Sequence, residues 1–162
     1  MAFEGITDEK IESLINRPKW VKNAKARKKS TNGSERLDYE IEDEDGHEYV
    51  LFYRQNSAIG MNDDFSCGLR WIAPGGNSLM LLRYNGPSHD HPNVLEGSST
   101  GLQPHIHKAT ERYIDAGRSP EGYAEATQIY KTVSGALHAI VKDANIKGLE
   151  TEADLMNQTS LF

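Results

Sequence analysis

The chain has 162 residues, of which 37% are hydrophobic and 26% charged, a composition that suits one globular domain and excludes a disordered or fibrous chain. No apolar stretch approaches the ~20 residues of a spanning helix. The single cysteine, Cys67, rules out an intramolecular disulfide. With no secretory-signal pattern at residues 1–5, a cytoplasmic protein that avoids membranes is expected. The net charge of −6 is unevenly spread: residues 17–29 hold 7 of the 18 basic residues and no acid. The other 149 residues carry 11 positive against 24 negative charges, or −13.

In chain order, Thr7 offers an N-cap to a short helix with Ile11, Leu14 and Ile15 on one face. Arg17-Pro18 ends it, because a residue before proline is pushed out of the helical region. The basic segment follows. Lys19, Trp20, Lys22, Lys25, Arg27, Lys28 and Lys29 can supply the sequence-independent attraction to phosphates on which nucleic-acid binding rests. The plainer alternative is a solvated linker helix held against the acidic run 38–48.

From Leu37 the period changes to two, with Leu37, Tyr39 and Ile41 facing one way. Asp45-Gly46 signals a type I′ hairpin into a return strand at 48–54. After a polar loop at 55–64, residues 65–72 and 78–84 read as a second hairpin around Pro74-Gly75-Gly76-Asn77. Residues 85–101 have no period, and a loop that long inside a compact domain is usually functional or disordered. A fifth strand is expected near 102–107 and a short helix at 109–116. Ser119-Pro120-Glu121 then opens the main helix, whose stripe runs Ile129, Tyr130, Val133, Ala136, Leu137, Ile140 and Val141. The fold expected is α+β: an antiparallel, curved sheet of about five strands packed against a long C-terminal helix, with a short N-terminal helix. The chain divides into an N-terminal helix and basic segment (1–35), a core domain (36–147) and a polar tail (148–162).

Four of the six histidines fall within 19 residues as two i, i+2 pairs, His89/His91 and His105/His107. On a strand that spacing sends both rings to one face, as a shared site requires. One reading is a divalent transition metal held by His89, His91, His105 and His107, with Asp90, Asn93 or Glu111 completing the shell. A second is metal-free acid/base chemistry on phosphodiesters. There His105 and His107 would be the proton-transferring pair, Arg83 the phosphate clamp, His89, His91 and Asn85 accessory, and Tyr84 a base-positioning ring. The third is four ordinary loop and strand-edge histidines. Glu111 can touch the site or simply complement the short helix's dipole. His47 and His138 are assigned no site role, and Cys67 is assigned to the core.

Leu82-Arg83-Tyr84-Asn85-Gly86-Pro87, then His89, His91 and Asn93, then His105-Ile106-His107 with Ala109-Thr110-Glu111, resembles a bacterial and phage-associated domain family of unknown function. The likeness extends to Gly122-Tyr123-Ala124-Glu125, Thr127 and Asp143-Ala144-Asn145, covering residues 48–146, and it implies no activity. More distantly, Arg-x-Asn, a Pro-His cluster and His-x-His resemble TumE-type toxins, although Tyr84-Asn85 stands for that family's Asp-Asn and the first histidines are spaced rather than adjacent. That resemblance implies a toxic module acting on nucleic acid. The expected function is therefore a small bacterial or phage protein that binds or cleaves RNA or DNA through the histidine site. An interaction protein of another class is the alternative, such as a phage inhibitor or antitoxin-like partner whose acidic body docks a basic protein. A histidine-ligated metalloprotein acting on a small molecule is the third.

Overall fold

The computed structural model describes residues 3–149. Helix α1 (Asp8–Asn16) begins where the Thr7 side chain accepts from the Lys10 amide and buries Ile11, Leu14 and Ile15. Next come β1 (Lys19–Val21), β2 (Lys29–Thr31), β3 (Ser34–Asp43), β4 (Glu48–Asn56), β5 (Phe65–Ile72) and β6 (Ser78–Asn85). A small ribbon, β7 (Pro92–Asn93) and β8 (Ser98–Ser99), lies within the long loop. Then follow β9 (His105–Lys108), α2 (Glu111–Asp115), β10 (Tyr123–Ala126), α3 (Val133–Asp143) and β11 (Ile146–Lys147). No helix among the described residues is long and apolar enough to cross a membrane.

The mixed α+β class stands, but the sheet has nine strands rather than five. Its order is β10-β9-β6-β5-β4-β3-β1-β11, with β2 also on β3. Every pair is antiparallel except β1 with β11. The added strands are two to four residues long, too short to show a period of two. Two of them draw on the ends of the basic segment, which is strand at Lys19–Val21 and from Lys29 and irregular between, not a linker helix.

The C-terminal helix is also shorter than expected. Ser119-Pro120-Glu121 makes a turn, with the Gly122 amide on the Ser119 carbonyl at 3.0 Å, and residues 123–126 pair with β9. Helix α3 starts only after the Thr132 cap, so Ile129 lies outside it and is 61% exposed. A free sheet edge outweighed the helix propensity of Tyr-Ala-Glu-Ala. At the first hairpin only Gly46 has positive φ (84°), and the Asp43 and His47 backbones bond across the turn. The connection is thus a type I turn closed by a left-handed glycine, not a type I′ turn. The tail assigned to residues 148–162 lies outside the described residues beyond Leu149.

The sheet has two chemically different faces. Leu37, Tyr39 and Ile41 on β3, Tyr49, Leu51 and Tyr53 on β4, and Cys67, Leu69 and Trp71 on β5 are buried on the inner face, under α1 and α3. On the other face Arg54, Arg70, Met80 and Arg83 are only half-buried. A register shift beside Leu69/Arg70 pairs Leu82 with Leu69 but Met80 with Arg70, leaving Leu81 as an extra residue in β6. Leu79 faces inward on one side of this bulge and Leu82 and Tyr84 on the other. Without the extra residue, unbroken alternation would point Arg83 into the core.

Two buried charges tie the chain's ends together. The Lys19 amine donates to the carbonyls of Ile15 (2.6 Å), Arg17 (2.8 Å) and Ala144 (2.9 Å), joining the C-terminal ends of α1 and α3. Burial lowers its pKa to about 7, against the pull of Asp43. The Asp43 carboxylate accepts from Tyr49 Oη (2.7 Å), the amides of Asp45 and His47, and the His47 ring, and it faces Arg17 at 3.1 Å. Burial acts to raise its pKa, but these hydrogen bonds prevail and hold it below the usual carboxylate value. Replacing Lys19 by Met leaves three buried carbonyls without their donor and should cost about 2–3 kcal/mol in urea unfolding. A loss under about 0.5 kcal/mol would mean that water satisfies those carbonyls instead.

Candidate functional site

Strand β6 carries Arg83 and Asn85 on the open face, and β9 places His107 opposite Arg83 and His105 opposite Asn85. Cross-strand neighbours share a face, so these four side chains form one patch at the β6/β9 seam. The loop after β6 brings the other two histidines over it. Gly86 starts that loop because a Cβ there would lie 2.2 Å from the Asp63 carbonyl oxygen, which only glycine permits. Loop residue Asn93 then acts as a strand surrogate: its side chain donates to the Ala124 carbonyl (2.8 Å) and accepts from the Ala124 amide (2.9 Å) on the edge of β10. His91 and Thr100 clasp the loop's two arms, and Asp90 accepts from the Gly101 amide at 2.7 Å.

The four imidazoles stand ring against ring. Centroids are 5.2 Å apart for His105/His107, 4.5 Å for His91/His107, 5.0 Å for His89/His105 and 6.1 Å for His91/His105. Three rings are held by backbone carbonyls. His105 Nδ1 lies 2.9 Å from the Gln103 oxygen, His107 Nδ1 2.8 Å from that of Glu121, and His91 Nε2 2.6 Å from that of Gly122. A carbonyl only accepts, so each contacting nitrogen must carry the hydrogen, which fixes the tautomer of the neutral ring. Nε2 of His105 and of His107 is then a lone pair, and both atoms are buried without a partner, as are Asn85 Oδ1 and Arg83 Nε. Burial lowers the pKa of both rings, with the Arg83 charge adding to it; His107 falls to about 3. Both are neutral at physiological pH.

The chain matches no protein-family model, no curated protein and no solved structure.

Of the expected site residues, Arg83, Asn85, His89, His91, His105 and His107 come together. Tyr84 does not: one residue from Arg83, it points inward, stacks on Tyr130 at 5.6 Å and donates to Asp143 at 2.5 Å. It braces the sheet against α3 and cannot position a base. Glu111 opens α2, where its amide donates to Asp8 at 2.8 Å, and belongs to the α1/α2 contact. Lys19 is fully buried and cannot meet a nucleic acid. Lys22 pairs with Glu42 and Lys28 with Glu35, both at 3.3 Å, while Lys25, Arg27 and Lys29 are exposed and Trp20 is 46% exposed. His47, assigned no site role, is a partner of Asp43.

Sequence reasoning missed the carbonyls of Gln103, Glu121 and Gly122, which carry no side-chain signal. Such carbonyl-held imidazoles also occur around metals. Among the described residues, however, no group of three or more His, Cys, Asp or Glu side chains stands in an arrangement that would hold a metal ion.

The buried imidazoles make a pH prediction. His107 titrates near 6.5 when unfolded and about 3 when folded, so between those values only the unfolded chain binds the proton. Stability is then fully present above about 6.5 and falls as the pH drops towards 3. In His107→Leu, the proton uptake on unfolding over this window should decrease by about one. Equal slopes for the variant and the parent would show that His107 titrates normally in the folded protein.

Proposed function

We propose that the β6/β9 seam is the reacting centre of a metal-free ribonuclease. The observation that carries this reading is a pair of neutral imidazoles, each with an unpartnered Nε2 lone pair, set beside the Arg83 guanidinium beneath the loop that carries His89 and His91. The lone pairs are proton acceptors and the guanidinium complements a phosphate. His105 is the base, because its ring touches both loop histidines, whereas His107 lies against Arg83 and is held lowest in basicity. The expected pairing of His105 with His107 as base and acid is replaced here. A ring that is neutral down to pH about 3 has no proton to give at pH 7. The exposed His89, 5.0 Å from His105, takes the acid role. Because His105 Nε2 is buried, the loop that brings His89 and His91 over it must shift to admit the 2′-hydroxyl.

The step balances without a protein nucleophile. His105 Nε2 takes the proton of a ribose 2′-hydroxyl, and the 2′-oxygen bonds to the adjacent phosphorus. The P–O5′ bond breaks, and the leaving 5′-oxygen takes a proton from His89. The products are a 2′,3′-cyclic phosphate and a 5′-hydroxyl. Arg83 stabilises the charge gathering on the phosphoryl oxygens. DNA, lacking the 2′-hydroxyl, is bound but not cut.

Removing a positioned proton-transfer group costs typically 10²–10⁴-fold in rate, so His105→Ala and His89→Ala should each slow RNA cleavage by about 100-fold or more. A uridine 3′-(4-nitrophenyl phosphate) substrate separates the roles, since its leaving group needs no acid. It should restore His89→Ala to near the parent rate and leave His105→Ala slow. Absence of a cyclic phosphate product from the parent protein would overturn the reading. Loss of all activity on chelation, with recovery on adding zinc or cobalt, would replace it by metal chemistry at the same histidines.

A further inference from the structure

Away from the histidines, the same sheet face holds a cavity of ≈ 380 Å³ whose lining includes Arg27, Lys29, Arg36 and Arg54. Arg36 pairs with Asp38 at 2.8 Å and Arg54 with Asp64 at 2.6 Å, while Arg27 and Lys29 form no ion pair among the described residues. Four cations thus face two carboxylates, in a protein whose net charge is −6. The Arg36 guanidinium is propped on the Phe52 ring, 4.5 Å from its centroid. Phe52 in turn lies across Gly68, where a Cβ would come within 2.5 Å of the ring. This part of the face is therefore built, not a chance cluster of surface lysines.

Its position relative to the reacting centre is fixed by strand register. Arg36, Arg54, Ser66, Asn85 and His105 are successive cross-strand partners from β3 to β9. Three inter-strand steps separate Arg54 from His105, about 14 Å at ~4.8 Å per step. A single strand of roughly four nucleotides, the low end of what single-strand grooves cover, reaches from one to the other.

We propose that this cavity is a subsite for the phosphate backbone of the RNA strand cut at the histidines. The proposal rests on the ribonuclease reading for its ligand, but on the cavity and its cations for its place. Arg27 and Lys29 supply the unpaired charge, and Arg36 and Arg54 the fixed guanidinium groups.

The test uses a fluorescent 2′-O-methyl RNA of about eight nucleotides, which has no 2′-hydroxyl to react, and anisotropy over a range of salt. Each phosphate contact on a single strand contributes about 0.7 to the slope of log K against log salt. The double variant Arg27→Gln, Lys29→Gln should flatten that slope by about 1.4 and weaken low-salt binding at least about fivefold. Lys142→Gln, on α3 across the sheet, should leave both unchanged. Cleavage of the small nitrophenyl ester should also persist in the double variant, because that substrate has no strand to fill the cavity. Unchanged slope and affinity in the double variant, an equal loss in Lys142→Gln, or no binding of the oligonucleotide by the parent would each overturn the subsite. With the ester still cleaved by the parent, those outcomes leave the catalytic reading standing. A flattened slope in the double variant with no ester cleavage by the parent would support the subsite and remove the catalysis.

Discussion

The period of two in the sheet, reset once by the extra residue Leu81, is the constraint on which everything else depends. Before the bulge Leu79 packs inward opposite Trp71; after it Leu82 and Tyr84 do so opposite Leu69 and Cys67. The reset lets β6 serve the core at both ends and still deliver Arg83 and Asn85 to the open face. A bulge costs a ladder contact locally, but it re-aims every side chain beyond it. Here it separates a tyrosine that braces α3 from the arginine beside it.

The inner face then has a demanding polar problem to solve. The C-terminal ends of α1 and α3 bring unpaired carbonyls together, and one ammonium group, Lys19, answers three of them. Asp43 collects the hairpin amides, Tyr49, His47 and Arg17. Arg17, Lys22 and Lys28 of the basic segment are also paired, with carboxylates of β3 and of the turn that follows it. Overall charge asymmetry therefore overstated the surface available to a polyanion. What remains is Lys25, Arg27 and Lys29, of which Arg27 and Lys29 line a cavity beside β3 with Arg36.

At the other end of the sheet, desolvation determines the chemistry of the histidines. A buried imidazole next to a guanidinium loses its proton more readily than a free one, so His105 and His107 are acceptors by environment. The carbonyls of Gln103 and Glu121 complete the specification by taking the Nδ1 hydrogens. One strand thus supplies two rings of defined tautomer, and the loop over them, pinned by Asn93 to β10, supplies rings that remain near solvent. Burial first and the Arg83 charge after it set the protonation of the two strand rings.

Local chemistry already contained much of this protein. The capped first helix, the four main strands of the two hairpins, the core stripe of α3 and the i, i+2 histidine pairs each follow from periodicity, caps or turn residues within a few positions. That His105 and His107 share a face is a property of any strand. Other features are set by partners distant in the chain. Strands β1, β10 and β11 exist because sheet edges were free to pair with them, and α3 is short because Tyr123–Ala126 was captured by β9. Lys19 leaves the nucleic-acid surface because Ala144, 125 residues away, offers it a carbonyl. Tyr84 and Arg83 part company at a bulge visible only against β5. Sequence determines what each segment can form by itself; the tertiary structure decides burial, and burial decides which of these charged and aromatic side chains face the solvent.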